Sequence, residues 1–182
     1  MNRSALIAVG VASILPLAAS AQQGMSSGYG PSVGDREFSL SAIGSSDRDF
    51  DSSSIGLSGD LGWYLRRDVI VGVRQSLNYA DIPGESIDND SWNGATRGYV
   101  DYQFGDNRLR PFLGASLGMV YGDAVNDSAF GGLELGSKYY VLPATYLLGR
   151  AEYQWFFDSS SDADEAFKDG AWAYTVGIGY NF

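Results

Sequence analysis

The chain has no cysteine and no histidine. The first absence excludes a disulfide framework as its source of stability. The second removes the commonest general base and a frequent zinc ligand. Proline is scarce, five in 182 residues. Bases are few as well: 12 Lys and Arg stand against 22 Asp and Glu, a net charge of −10. That balance offers no basic surface for nucleic acid. Only one apolar run is long, from Ala5 to Ala19. It follows Arg3 and leads into Ala19-Ser20-Ala21, the arrangement of a cleavable export signal. Residues 1–21 are therefore read as a signal peptide, 22–35 as a Gly/Ser-rich flexible lead-in, and 36–182 as the folded domain. No later run is long enough for a membrane helix.

Glycine is abundant (24), and so are aromatics: nine Phe, twelve Tyr and four Trp. The chain ends in "AWAYTVGIGYNF". Trp172, Tyr174, Val176, Ile178, Tyr180 and Phe182 share one parity, and small or weakly polar residues fill the other. A period of two is the mark of a β-strand with two unlike faces. Seven further segments alternate in the same way, roughly Arg36–Ser45, Ser54–Leu65, Val69–Tyr79, Trp92–Phe104, Leu109–Tyr121, Ala129–Val141 and Leu147–Phe157. Each has the length of a tilted strand that crosses a bilayer. The connections alternate between tight (Arg66–Asp68, Gly105–Arg108, Leu142–Thr145) and long. An even number of strands then puts all tight turns at one end. These features predict an all-β, eight-stranded antiparallel up-and-down transmembrane β-barrel.

Charge decides which face points inward. Opposite the apolar faces lie Glu37, Asp60, Asp101, Glu134 and Glu152, together with Arg74, Arg97, Arg110, Lys138 and Arg150. The apolar faces carry no charge on this reading. The charged parity also holds the glycines 56, 62, 72, 114, 118, 132, 136, 177 and 179, and small residues suit the crowded side of a narrow barrel. The expectation is a polar lumen whose five acids and five bases form ion pairs, since an unpaired charge there is expensive. Eight strands leave only enough room for side chains to fill the lumen, so a plugged interior is expected rather than a pore. The outward aromatics sort into two belts. One is at the long-loop end (Tyr79, Trp92, Tyr121, Trp155, Phe157, Trp172). The other is at the short-turn end (Phe38, Trp63, Tyr102, Phe104, Tyr139, Tyr180, Phe182), with aliphatic residues between, as at two membrane interfaces. The long loops hold fourteen acids against Arg48 and Lys168.

On the strength of "TVGIGYNF", "RPFLGASLGMVYG" and "GGLELGSKYYV", the chain resembles the small outer-membrane barrels of the OmpA, OmpX and opacity type over about residues 36–182. The resemblance implies export to the outer membrane of a Gram-negative cell and a lead-in on the periplasmic side. It implies contact with outer-membrane lipid and lipopolysaccharide, and a single-chain barrel. It also implies that Thr175, Gly177, Tyr180 and Phe182 form the C-terminal signal read by the outer-membrane barrel assembly machinery. No peptidoglycan-binding domain follows the barrel pattern. Enzymes of this membrane resemble one another in using a histidine, which this chain lacks, so a non-enzymatic barrel without cofactor or metal is expected. Its role would be structural, or the acidic loops would meet an extracellular partner. A lipid-modifying enzyme and a soluble periplasmic ligand-carrying barrel are the alternatives.

Overall fold

A computed structural model of the chain describes residues 28–47, 53–80, 91–105, 107–122, 128–157 and 170–182. The signal peptide, the first part of the lead-in and most of the acidic loops lie outside the described residues, as do the side chains of Tyr79 and Trp92. Eight strands form: β1 (Arg36–Asp47), β2 (Ser53–Arg66), β3 (Val69–Ala80), β4 (Ser91–Gln103), β5 (Leu109–Gly122), β6 (Ser128–Tyr140), β7 (Thr145–Phe157) and β8 (Gly170–Asn181). Each pairs antiparallel with its chain neighbours, and β1 pairs with β8 to close the ring. The seam continues one residue further through reciprocal bonds between the backbones of Arg36 and Phe182, at 2.7 and 2.9 Å. Closure removes both sheet edges, which hydrocarbon would otherwise leave unpaired. Strand ends differ from the sequence reading by one or two residues.

The polarity is inverted relative to a soluble barrel. Arg74 is fully buried and Glu134 is 2 % exposed, whereas Leu117 is 66 % and Val176 71 % exposed. The outward face carries Leu40, Leu57, Leu77, Leu113, Leu133, Leu147 and Ile178, all exposed. The one charge on that parity is Arg36, which the sequence reading overlooked. It is the first residue of β1, exposed at the rim beyond Phe38, where a cation reaches water or headgroups.

The short-turn end is closed by more than turns. Residues 28–35, read from composition as part of a flexible lead-in, lie across it. Gly30 N–H donates to the Pro143 carbonyl at 3.0 Å, Gly34 N–H to the Tyr64 carbonyl at 2.9 Å, and Tyr64 N–H to the Asp35 carbonyl at 2.9 Å. Pro31 is fully buried, and Tyr29 packs on the lumen aromatics Phe112, Tyr140 and Tyr146 and on Leu148. Gly30 has φ +96°, and a Cβ there would lie 2.4 Å from the Arg110 guanidinium. Glycine is thus required for both backbone and space. Composition marked this segment as loop; backbone pairing to β2 and the β6–β7 turn seats it.

Two substitutions test the inside–outside assignment. Leu117→Arg on the lipid side should lower unfolding free energy in urea-titrated vesicles by about 2–4 kcal/mol. Gly179→Val should fail to give a compact barrel, because a Cβ at that position would lie 2.1 Å from the Tyr146 ring. Equal tolerance of both changes would mean the register is inverted.

Candidate functional site

The strand register puts the lumen charges in an arrangement no single strand foretells. Asp60 on β2 faces Arg74 on β3, but Arg74 faces Arg97 on β4, and Glu134 on β6 faces Glu152 on β7. Like charges directly across a strand pair repel. The structure relieves both by bonding across the lumen. Arg74 meets Glu134 at 2.7 Å and Arg97 meets Glu152 at 2.5 Å. Asp60 ties these to β2 by accepting from both Arg74 and Arg150 at 3.0 Å. Arg150 also donates to the Thr175 hydroxyl at 3.4 Å. Glu152 accepts further bonds from Ser116 (2.5 Å) and Gln154 (3.1 Å), and Arg97 donates to Ser76 (2.9 Å).

A second cluster sits nearer the turns. Lys138 donates to both oxygens of Glu37, at 2.7 and 2.6 Å, and to the Tyr64 hydroxyl at 3.1 Å. Tyr64 in turn donates to Glu37 at 2.5 Å and accepts from Gln103 at 2.9 Å. The lysine ammonium lies 4.9 Å from the Tyr146 ring centre and 5.5 Å from that of Tyr64. One of the ten expected lumen residues departs from simple pairing. Asp101 lies within 4.0 Å of no Lys or Arg nitrogen among the described residues; its carboxyl adjoins that of Glu134. Arg110 donates to the backbone carbonyls of Tyr29 (2.9 Å) and Arg67 (3.4 Å), joining the lumen to the N-terminal segment.

Sequence reasoning passed over the lumen aromatics. Tyr64, Tyr99, Phe112, Phe130, Tyr140 and Tyr146 are all buried on the charged parity. Besides Lys138, three of the lumen bases rest on them: Arg74 over Tyr99 at 4.6 Å, Arg97 over Phe130 at 5.2 Å and Arg110 over Tyr140 at 5.7 Å. The glycines make room for the rings. A Cβ on Gly72 would lie 2.6 Å from Tyr99, and one on Gly136 2.5 Å from Phe112. The signal was present in parity, and in the pairing of Gly72 with Tyr99 and of Gly136 with Phe112 on neighbouring strands.

The C-terminal quartet divides between the two faces. Thr175 and Gly177 point into the barrel, Gly177 packed against Ser41. Tyr180 and Phe182 face outward and stack at 6.3 Å. The turn-end aromatics Phe38, Trp63, Tyr102, Phe104 and Tyr139 are all exposed. Toward the loops, Trp155, Tyr153, Trp172 and Tyr174 form one continuous run of ring contacts at 4.9, 5.0 and 6.2 Å. The outward polar side chains Gln75, Thr96 and Tyr121 bond to one another at 2.5 to 3.1 Å. Mutual bonding lowers the cost of placing them in an apolar setting.

These features are those of the small outer-membrane barrels, whose fold the chain shares. Neisserial surface protein A superposes with a TM-score of 0.59 at 15 % identity, over 81 % of this chain and 96 % of that one. OprG of Pseudomonas aeruginosa gives 0.58 at 14 %, over 84 % and 98 %. Ail of Yersinia pestis, in complex with the heparin analogue sucrose octasulfate, gives 0.54 at 17 %, over 82 % and 99 %. No family model and no curated protein matches the sequence.

The cross-lumen tie can be tested by a double-mutant cycle. Arg97→Met or Glu152→Leu alone should cost about 3–5 kcal/mol, because each leaves a buried charge without its partner. Together they should cost far less than the sum, as read from urea unfolding in vesicles. Additive losses would show that the two side chains do not depend on one another.

Proposed function

We propose that the mature chain is a non-enzymatic integral protein of the Gram-negative outer membrane, a barrel with a filled lumen that holds acidic loops at the cell surface. The inversion of polarity carries this reading: ten charged residues inward, and an apolar band with aromatic rims outward. A soluble ligand carrier needs the opposite arrangement, with an apolar cavity inside. The lumen charges are engaged with one another, with hydroxyls and with rings, which supports a structural plug over a conducting path. Catalysis is disfavoured by the absence of histidine. It is disfavoured also by the state of the buried lysine, whose ammonium is bound to Glu37 rather than poised beside a serine hydroxyl.

The loop end supports a surface role with a particular chemistry. Ail was crystallised with a polyanion. A loop end with fourteen acids and two bases would repel one. A basic protein surface is the complementary partner. At the other end, Phe182 and Tyr180 on the seam strand fit the role of an assembly signal. The closed ring leaves no sheet edge to pair, which supports a monomer.

The first experiment is gel mobility of the outer-membrane fraction in detergent, unheated against boiled. A heat-dependent shift is expected; an unshifted band in the soluble periplasm would sink the reading. Phe182→Ala should lower the amount of heat-shifted barrel in that fraction, and wild-type levels would remove the assembly role. In planar bilayers the purified barrel should give no stable ohmic single-channel current.

A further inference from the structure

Every exposed Lys or Arg among the described residues lies at the short-turn end. Arg36, Arg66, Arg67 and Arg108 are exposed there. The acids among the described residues at that end are engaged: Asp68 with Arg66 at 3.2 Å, and Asp35 by accepting from the Ser32 N–H at 2.7 Å. One of the arginines borders a cleft. Gly28, Tyr29, Asn107, Arg108, Leu109 and Tyr139 line a rim cleft of about 590 Å³. Its two walls differ. Leu109 and Tyr139 face each other across β5 and β6 on the outward parity and are exposed at the level of the turn-end aromatics. Tyr29 comes from the segment that crosses the barrel end. Its ring lies 4.2 Å from the Arg108 guanidinium, and its hydroxyl accepts from Arg108. Tyrosine thus holds the guanidinium in place at the cleft. Only one of its five N–H donors is taken by a described side chain.

We propose that this cleft binds an anionic phospholipid of the leaflet at the short-turn end, with the phosphate on Arg108 and Asn107. The acyl chains would run up the β5–β6 face over Leu109, Leu113 and Leu135. The inference rests on the membrane reading above and adds a ligand class and a place to it. Three observations carry it. The cleft is continuous with the lipid-facing band: beyond Leu109 and Tyr139 the outward face runs past Pro111 and Ser137 to the exposed pair Leu113 and Leu135. Among the described residues the exposed charged side chains at this end are arginines, complementary to a phosphate. And a guanidinium held by a ring presents the fork of donors that phosphate oxygens accept. The self-bonded Gln75, Thr96 and Tyr121 on the same exterior offer no such free donors.

The test uses the mature chain refolded in phosphatidylcholine bilayers doped with spin-labelled phosphatidylglycerol or phosphatidylcholine. A heat-shifted band for every variant certifies that it is folded. The wild type should restrict phosphatidylglycerol in preference to phosphatidylcholine, and Arg108→Gln should lower that preference about fivefold, the worth of one arginine near a membrane surface. Tyr29→Leu, which frees the guanidinium, should lower it as well. Arg66→Gln, outside the cleft, should leave it within about twofold. Equal losses for Arg108→Gln and Arg66→Gln would assign the effect to diffuse charge and overturn the site, as would a wild type without preference. A chain that gives no heat-shifted band in any bilayer would instead fail the membrane reading itself.

Discussion

A backbone amide facing hydrocarbon has no water to bond with, and the arrangement of this chain depends on that constraint. Eight strands can satisfy every ladder only by closing, so β1 must meet β8, and the bonds between Arg36 and Phe182 complete the seam. Closure at eight strands then fixes the lumen diameter. The outward side chains are occupied with lipid, so the inward set must fill that lumen by itself. Rings supply bulk, glycines supply the hollows they enter, and charges supply bonds that reach from wall to wall.

Those bonds couple electrostatics to closure. In isolation the β3–β4 hairpin holds Arg74 beside Arg97, and the β6–β7 hairpin holds Glu134 beside Glu152. Each hairpin is repulsive at that point. Arg74 can reach Asp60 on the adjoining β2, but only when the two walls face each other does Arg74 meet Glu134 and Arg97 meet Glu152, at 2.7 and 2.5 Å. The pattern therefore favours the complete ring over local hairpins and over misregistered pairings. A one-residue slip would move every one of these charges to the lipid side. Asp60 strengthens the effect by engaging Arg74 and Arg150 from different walls.

Much of this was legible in the sequence because the physics acts on parity. Strand number, the turn-and-loop alternation and the orientation of Leu117 or Val176 follow from period two together with the side on which charge falls. What parity cannot give is partnership. Nothing in the linear order says that Arg97 bonds Glu152 on β7 and not a closer acid, because that depends on the curvature of the closed sheet. Asp101 was legible as a lumen residue but not as the neighbour of Glu134. Tyr64, Phe112 and Tyr146 were hidden by the assumption that large apolar side chains belong outside. A lumen lined by charge still needs volume, and rings provide it while receiving cations on their faces. Residues 28–35 were hidden because Gly, Ser and Pro signal irregular backbone, whether or not that backbone is seated on something.

The same division explains why fold comparison succeeds where sequence comparison finds nothing. On the lipid face any apolar side chain of adequate size serves, so Leu, Val, Ile, Met and Phe interchange with little cost. The register of the ladder is carried by backbone bonds that are indifferent to side chains. In the lumen the requirement is for neutrality and filled volume, and a pair such as Lys138 and Glu37 can be replaced by another pair on other strands if both conditions hold. Identity is therefore weakly constrained on both faces while the ring persists, and the shared fold at 14–17 % identity over nearly the full length of the superposed barrels accords with this. By this argument the positions that can least drift are those where two requirements meet on one residue. Gly30 must adopt φ +96° and also clear Arg110. Thr175 must share a strand face with Gly177 and also accept from Arg150. Phe182 must close the seam through its backbone while its ring lies at the membrane boundary.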